Sequence, residues 1–229
     1  MKVAALMRVA DYPLFPVMLQ RLCCNKKITH LVLSFDGYGY NNTYKKNSNL
    51  YNGPNHYTIN GLEWYSLISK HFIFPDNISV DLYKSDRKGI GHLEDMLRRL
   101  DKVRPDYVLL CDTDESFDYE NGWYTDFDDF VKSKKDIFNV SFSTMTDDDR
   151  HFPAFPKFDH CKGFKWKPDV TYIGSGGFCE PIYKKSKNKK TKYKCSTKML
   201  HFPFFTKNMQ RQRISMYGKN HPMFKHIND

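Results

Sequence analysis

Asp112, Asp114 and Glu115 put three carboxylates within four consecutive residues, with Thr113 the neutral member of the set. Carboxylate oxygens are the preferred ligands of hard divalent cations, and a cation held this way can also bridge the oxygens of a diphosphate. The set follows directly on residues 107–111 (Tyr-Val-Leu-Leu-Cys), an apolar run of the kind found at the centre of a parallel sheet. In open α/β sheets ligands bind at the carboxyl ends of the strands, so acids in this position sit where chemistry is expected. Acids just after a strand also suit the first turn of a helix, where the dipole favours negative charge. Two aspartates one residue apart are common, so the surrounding segments have to separate these readings.

Through the first half, short β-rich apolar runs alternate with helical patterns, which predicts βαβ units and a mostly parallel sheet. Strands are predicted over 3–7, 28–35, 78–83 and 107–111. Asp11 can cap a first helix with Pro13 and Pro16 in its first turn and Val17, Met18, Leu19 and Leu22 on its apolar face. Leu62, Trp64, Tyr65, Leu67, Ile68 and Phe72 predict a second helix, and Leu93, Met96, Leu97 and Leu100 a third. Residues 37–56, rich in Gly, Asn and Tyr, read as a long loop of a length that is usually functional. The second half is less regular. Strands are expected over 137–145 and 170–173, a glycine turn over 174–177, a solvated Lys-rich loop over 184–194, an apolar run over 198–202 and a basic helix over 205–217.

From Asp86 to Glu115 the order is a polar turn containing Gly89, a helix, the segment Arg104-Pro105-Asp106-Tyr107-Val108-Leu109-Leu110-Cys111, and the acids. This order resembles the nucleotide-sugar half of GT-A glycosyltransferases. The resemblance runs from Lys2 to about Glu115 and extends more loosely to Glu180 and His201. It implies an α/β, GT-A-like (Rossmann-like) fold with a mostly parallel central sheet flanked by helices. It also implies a single domain over 1–229, with 1–118 binding the nucleotide sugar and 119–229 the acceptor. The cofactor would be Mn²⁺ or Mg²⁺, and the donor a nucleotide sugar, a UDP-sugar.

Carried over by position, Asp114 would ligate the metal directly and Asp112 would contact metal or ribose. Asp36, at the end of the second strand, and Asp86, after the third, would lie beside the nucleoside. Lys84, Arg87 and Lys88 would add positive charge where the diphosphate gains negative charge in the transition state. His201 corresponds to the late histidine that completes the metal site in many members, and imidazole suits Mn²⁺. Gly176-Gly177-Phe178-Cys179-Glu180 resembles the Gly-Gly-Phe segment that precedes the catalytic acid of inverting members. The Glu-Asp pair that follows in those enzymes is not present here, which leaves the stereochemistry open. Glu180 and Asp148, the latter from the run Asp147-Asp148-Asp149, are the candidate bases, because a carboxylate must take the acceptor hydroxyl's proton.

Lys and Arg number 36 against 26 Asp and Glu, a formal charge of +10 that favours a polyanionic partner. The Lys-rich loop and the basic helix carrying Lys207, Arg211, Arg213 and Lys219 make DNA with a hydroxymethylated base a candidate acceptor, as in bacteriophages that glycosylate their DNA. A glycan, lipid-linked or protein acceptor is the alternative. The apolar run 1–7 is too short for a signal or membrane segment, and no later run has spanning length, so a cytoplasmic location without a membrane partner is expected. The six cysteines would then stay reduced, and the set His160, Cys161, Cys179, Cys195 and His201 lacks the tight Cys spacing of a zinc site. Two other classes share part of this pattern. A nucleotidyltransferase would share the Rossmann-like half and the acids, yet residues 8–13 lack its Gly-rich phosphate loop. A nucleic-acid-binding module without catalysis would leave three acids repelling phosphate.

Overall fold

The structure, a computed structural model, describes residues 1–9, 12, 14–36, 61–85, 90–145, 151–153, 159–175, 178–183 and 190–202. β1 (Val3–Val9), β2 (His30–Asp36), β3 (Ser79–Ser85) and β4 (Tyr107–Asp112) are parallel, in the spatial order β4-β1-β2-β3. Successive side chains of a strand point to opposite faces, and β1 shows the split. Val3, Ala5, Met7 and Val9 enter one core, whereas Ala4 and Leu6 enter another.

α1 (Phe15–Cys23) covers the first face with Phe15, Met18, Leu19 and Leu22, a helical spacing, and α2 (Gly61–His71) adds Ile68. α3 (Ile90–Val103) closes the opposite face with Met96, Leu97 and Leu100. Cover on both faces explains why β4 is buried from Tyr107 to Cys111 without alternation. Pro16 stands in the first turn of α1, as expected, but Leu14 occupies its N-cap; Asp11 and Pro13 lie outside the described residues.

The second half supplies β5 (Glu115–Phe117), α4 (Trp123–Ser133), β6 (Ile137–Val140), β7 (Phe142–Met145), β8 (His151–Pro153), β9 (His160–Lys165), β10 (Val170–Ser175), β11 (Phe178–Tyr183), β12 (Lys192–Lys194) and β13 (Met199–His201). A seven-stranded sheet has the order β12-β6-β9-β4-β1-β2-β3, and a four-stranded one the order β5-β13-β7-β8. In the larger sheet β9 runs against both β4 and β6, and the other strands share one direction. This is the expected class: a mostly parallel α/β sheet flanked by helices.

The single strand expected over 137–145 is instead two strands in two sheets. β6 pairs with β9 in the large sheet, and after Ser141 the chain crosses to pair β7 with β13. The segment carrying β12 and β13 makes the same crossing alongside it, with Cys195 N–H donating to Asn139 (2.8 Å) and Met199 N–H to Ser141 (2.9 Å). Between those contacts residues 195–197 loop over the Asp126 carboxylate of α4. It accepts from the N–H of Thr197 (2.7 Å), the N–H of Ser196 (3.1 Å) and the thiol of Cys195 (3.1 Å).

β9 fits between its neighbours because of Gly163. A Cβ there would lie 3.1 Å from Leu109 Cδ2, 3.2 Å from the Val108 carbonyl oxygen and 3.3 Å from Phe138 Cβ. On the β6 side Gly163 faces Phe138 while Cys161 faces Asn139, so Lys162 is the extra residue of a β-bulge. Bulges of this kind re-aim a side chain.

Candidate functional site

At β1 the order of the sheet reverses, with β4 on one side and β2 on the other, and such a switch point opens a crevice at the strands' carboxyl ends. Asp112 ends β4 there, paired in register with Arg8 of β1. The chain turns and enters β5 at Glu115, so the acids join two strands and do not begin a helix. β13 lies antiparallel to β5, with His201 opposite Glu115, and Phe202 N–H donates to the Asp114 carbonyl at 2.7 Å. This pairing brings His201 Nε2 to 3.5 Å from Asp114 Oδ2. The Phe142 ring of β7 packs against both His201 and His160, with centroids 5.1 and 4.4 Å away. The Tyr12 hydroxyl donates to the Phe202 carbonyl and so ties the segment after β1 to the end of β13.

Asp114, Glu115 and His201 each offer a ligand atom, all within 4.8 Å of one another. Two carboxylates and an imidazole make a donor set that suits Mn²⁺, so these residues fit a divalent ion. Asp112 stands outside this group. Its carboxylate accepts from Lys162 Nζ at 3.1 Å, and the same ammonium donates to Glu115 Oε2 at 2.5 Å. Glu115 Oε2 also accepts the Asp112 N–H at 3.1 Å. The side chains of Lys162 and Glu115 are buried, with 9% and 5% exposed, whereas that of Asp112 is 56% exposed.

The charges shape one another. Lys162 is the main cause that holds the Asp112 carboxyl below its ordinary range. Burial pushes Glu115 up to about 7, against the pull of Lys162. Burial works to lower Lys162, but Asp112 and Glu115 together raise it, and it is an ammonium at neutral pH. Burial, then Lys162 and His201, bring His160 down to about 4, which leaves its ring neutral.

Asp36 ends β2 opposite Ser85 of β3, on the same carboxyl edge as Asp112. Glu180 lies on β11 opposite Ile173. The Lys84 ammonium lies 4.8 Å from the centroid of the Tyr65 ring. Asp86, Arg87, Lys88, Asp148, the loop 37–56 and the basic helix 205–217 lie outside the described residues, as do the side chains of Asp36 and Glu180. Sequence reasoning missed Lys162 and gave Glu115 no place as a ligand. Among the described residues no helix is long and apolar enough to cross a membrane.

No protein-family model and no curated protein matches the chain. Solved structures do match. Residues 1–349 of S. aureus TarS in complex with UDP-GlcNAc are 12% identical, with 67% of this chain and 37% of that one covered and a TM-score of 0.41. The same TarS segment in complex with UDP is 13% identical, with 67% and 38% covered and a TM-score of 0.40. The 4-diphosphocytidyl-2C-methyl-D-erythritol synthase of Anaerococcus prevotii is 12% identical, with 71% and 69% covered and a TM-score of 0.39. The chain thus spans little more than a third of that TarS segment.

Proposed function

We propose that the protein is a metal-dependent glycosyltransferase that moves a sugar from a nucleotide-sugar donor, a UDP-sugar, to an acceptor hydroxyl. One observation carries this reading: Asp112 ends the buried central strand at the sheet's switch point, and Asp114, in the turn after it, joins Glu115 and His201 in a carboxylate and imidazole donor set. Asp114, Glu115 and His201 would hold Mn²⁺ or Mg²⁺, which when bound stabilises the negative charge that grows on the diphosphate as the glycosidic bond breaks. Asp112 is fixed by Lys162 on its inner side and open on the other, which suits a ribose hydroxyl at the rim. Asp36 and Asp86 would face the nucleoside, with Arg87 and Lys88 near the phosphates. Glu180 or Asp148 would take the acceptor's proton.

The test is a donor screen. With Mn²⁺ present, a panel of nucleotide sugars should include a UDP-sugar that is hydrolysed and that raises the melting temperature, with both effects lost in a chelator. If no donor did either, the reading would fail.

As acceptor we propose DNA carrying a hydroxymethylated base. The formal charge of +10 supports this, as does the Lys-rich segment that ends in β12 at the edge of the large sheet, where Lys192 and Lys194 are exposed. The substitutions that test this are at Lys189, Lys190 and Lys192. Neutralising those three should weaken duplex binding and flatten its salt dependence by a log-log slope of roughly 0.9 per lost phosphate contact. Donor hydrolysis should be unchanged. Fluorescence anisotropy at several salt concentrations reads both quantities, and a wild type that binds no DNA at low salt would exclude this acceptor.

A further inference from the structure

Lys162 is a charged side chain with 9% of its surface exposed, and a buried ammonium is tolerated only where it is paired. Its partners are Asp112 and Glu115, which bracket the turn containing Asp114. It reaches them by construction. The bulge in β9 makes Lys162 the extra residue, and Gly163 lets that strand sit close between β4 and β6. The Phe142 ring lies 5.3 Å beneath the ammonium.

Glu115 belongs to two sets at once. It is the acceptor of Lys162 at 2.5 Å, and it is one of the three groups, with Asp114 and His201, that converge within 4.8 Å. With all three carboxylates ionised, Asp112, Asp114 and Glu115 against the Lys162 ammonium leave two negative charges, the number that a divalent cation neutralises. An ammonium and a divalent ion drawing on one buried carboxylate repel each other in a medium that screens poorly.

We propose that the Lys162 ammonium and a divalent cation compete for Glu115, so that Lys162 is a built-in occupant of the acidic pocket and sets how tightly the ion is held. Before the ion arrives, Lys162 keeps Asp112 and Glu115 from repelling each other; when the ion binds, Glu115 is drawn toward Asp114 and His201 and away from the lysine. The inference rests on the metal site of the function proposed above, and it concerns affinity for the ion, independent of which sugar is moved.

Mn²⁺ binding without nucleotide, followed by electron paramagnetic resonance, tests it on wild type, Lys162→Met and Lys162→Arg. The Met variant should bind Mn²⁺ at least about tenfold more tightly than wild type, and the Arg variant within about threefold of it. Binding by the Met variant where the wild type binds none at millimolar Mn²⁺ supports the same conclusion in its strongest form. Equal or weaker binding by a folded Met variant overturns the inference and leaves the metal site standing. Absence of Mn²⁺ binding in all three proteins overturns both. Should Lys162→Met fail to fold, the wild type decides: in ¹⁵N-lysine-labelled protein titrated with Mg²⁺, the Nζ signal missing from Lys162→Arg should move along the binding curve. A signal that stays in place at saturation overturns the inference.

Discussion

Asp114→Asn is expected to abolish metal-dependent donor binding and to lower turnover by about 10²-fold to 10³-fold while leaving the fold intact. The substitution keeps the size of the side chain and removes the charge that a divalent ion needs. The fold should survive because Asp114 holds β13 through its backbone: its carbonyl accepts the Phe202 N–H at 2.7 Å, and Asn leaves that bond in place. What changes is the pocket, where His201 Nε2 loses the carboxylate 3.5 Å away and the three-group donor set falls to Glu115 and His201. Calorimetry with Mn²⁺, donor hydrolysis and thermal melting together separate these effects. Near-wild-type turnover in the presence of Mn²⁺ would contradict the function proposed for the site, whereas a collapsed melting temperature would show that Asp114 is structural.

The largest effect on stability is expected at Asp126, which is 6% exposed. Replacing it with Ala removes the acceptor of the Thr197 and Ser196 N–H groups and of the Ser196 hydroxyl (2.9 Å). Buried donors left without a partner cost about 1–3 kcal/mol each, so a loss of roughly 3 kcal/mol or more in urea unfolding is expected. The same contacts give a pH signature. Burial tends to raise the Asp126 carboxyl, but the donors of Thr197, Cys195 and Ser196 outweigh it and bring it down to about 2. With the folded value below the unfolded one, the stabilisation is complete above about pH 4 and is lost as pH falls toward 2. Wild type should therefore lose roughly 2 kcal/mol more than Asp126→Asn between pH 5 and pH 2. Parallel pH profiles for the two proteins would show that Asp126 does not carry this linkage.

The parallel half of the fold was legible because its signals are local. Val-Leu-Leu inside 107–111 and the three-four spacing of Met96 and Leu100 each state their own environment. α4 was missed: Trp123, Phe127 and Phe130 lie at helical spacing and all three are buried, but the acids around them obscured the pattern. The break at Ser141 was not legible. Residues 137–145 are uniformly suited to a strand, and only the partners on either side, β9 for one part and β13 for the other, divide them. Asp112 and Asp114 stood out by spacing. The roles of Glu115 and Lys162 depend on a bulge and on residues 47 apart in the chain, which no local pattern encodes.

Two strands arrive late in the chain to fill gaps between earlier ones: β9 enters between β4 and β6, and β13 between β5 and β7. During synthesis the amino-terminal portion emerges first, so β4 waits with an open edge until residues 160–165 have left the ribosome. That edge carries the apolar run 107–111, the kind of exposed strand that invites pairing with another chain. A nascent chain at this stage is a natural client for a chaperone. The donor set, which needs His201 from β13, is complete only after that strand has docked, so a chain stalled before it would carry the Asp-x-Asp pair and lack the third donor for an ion.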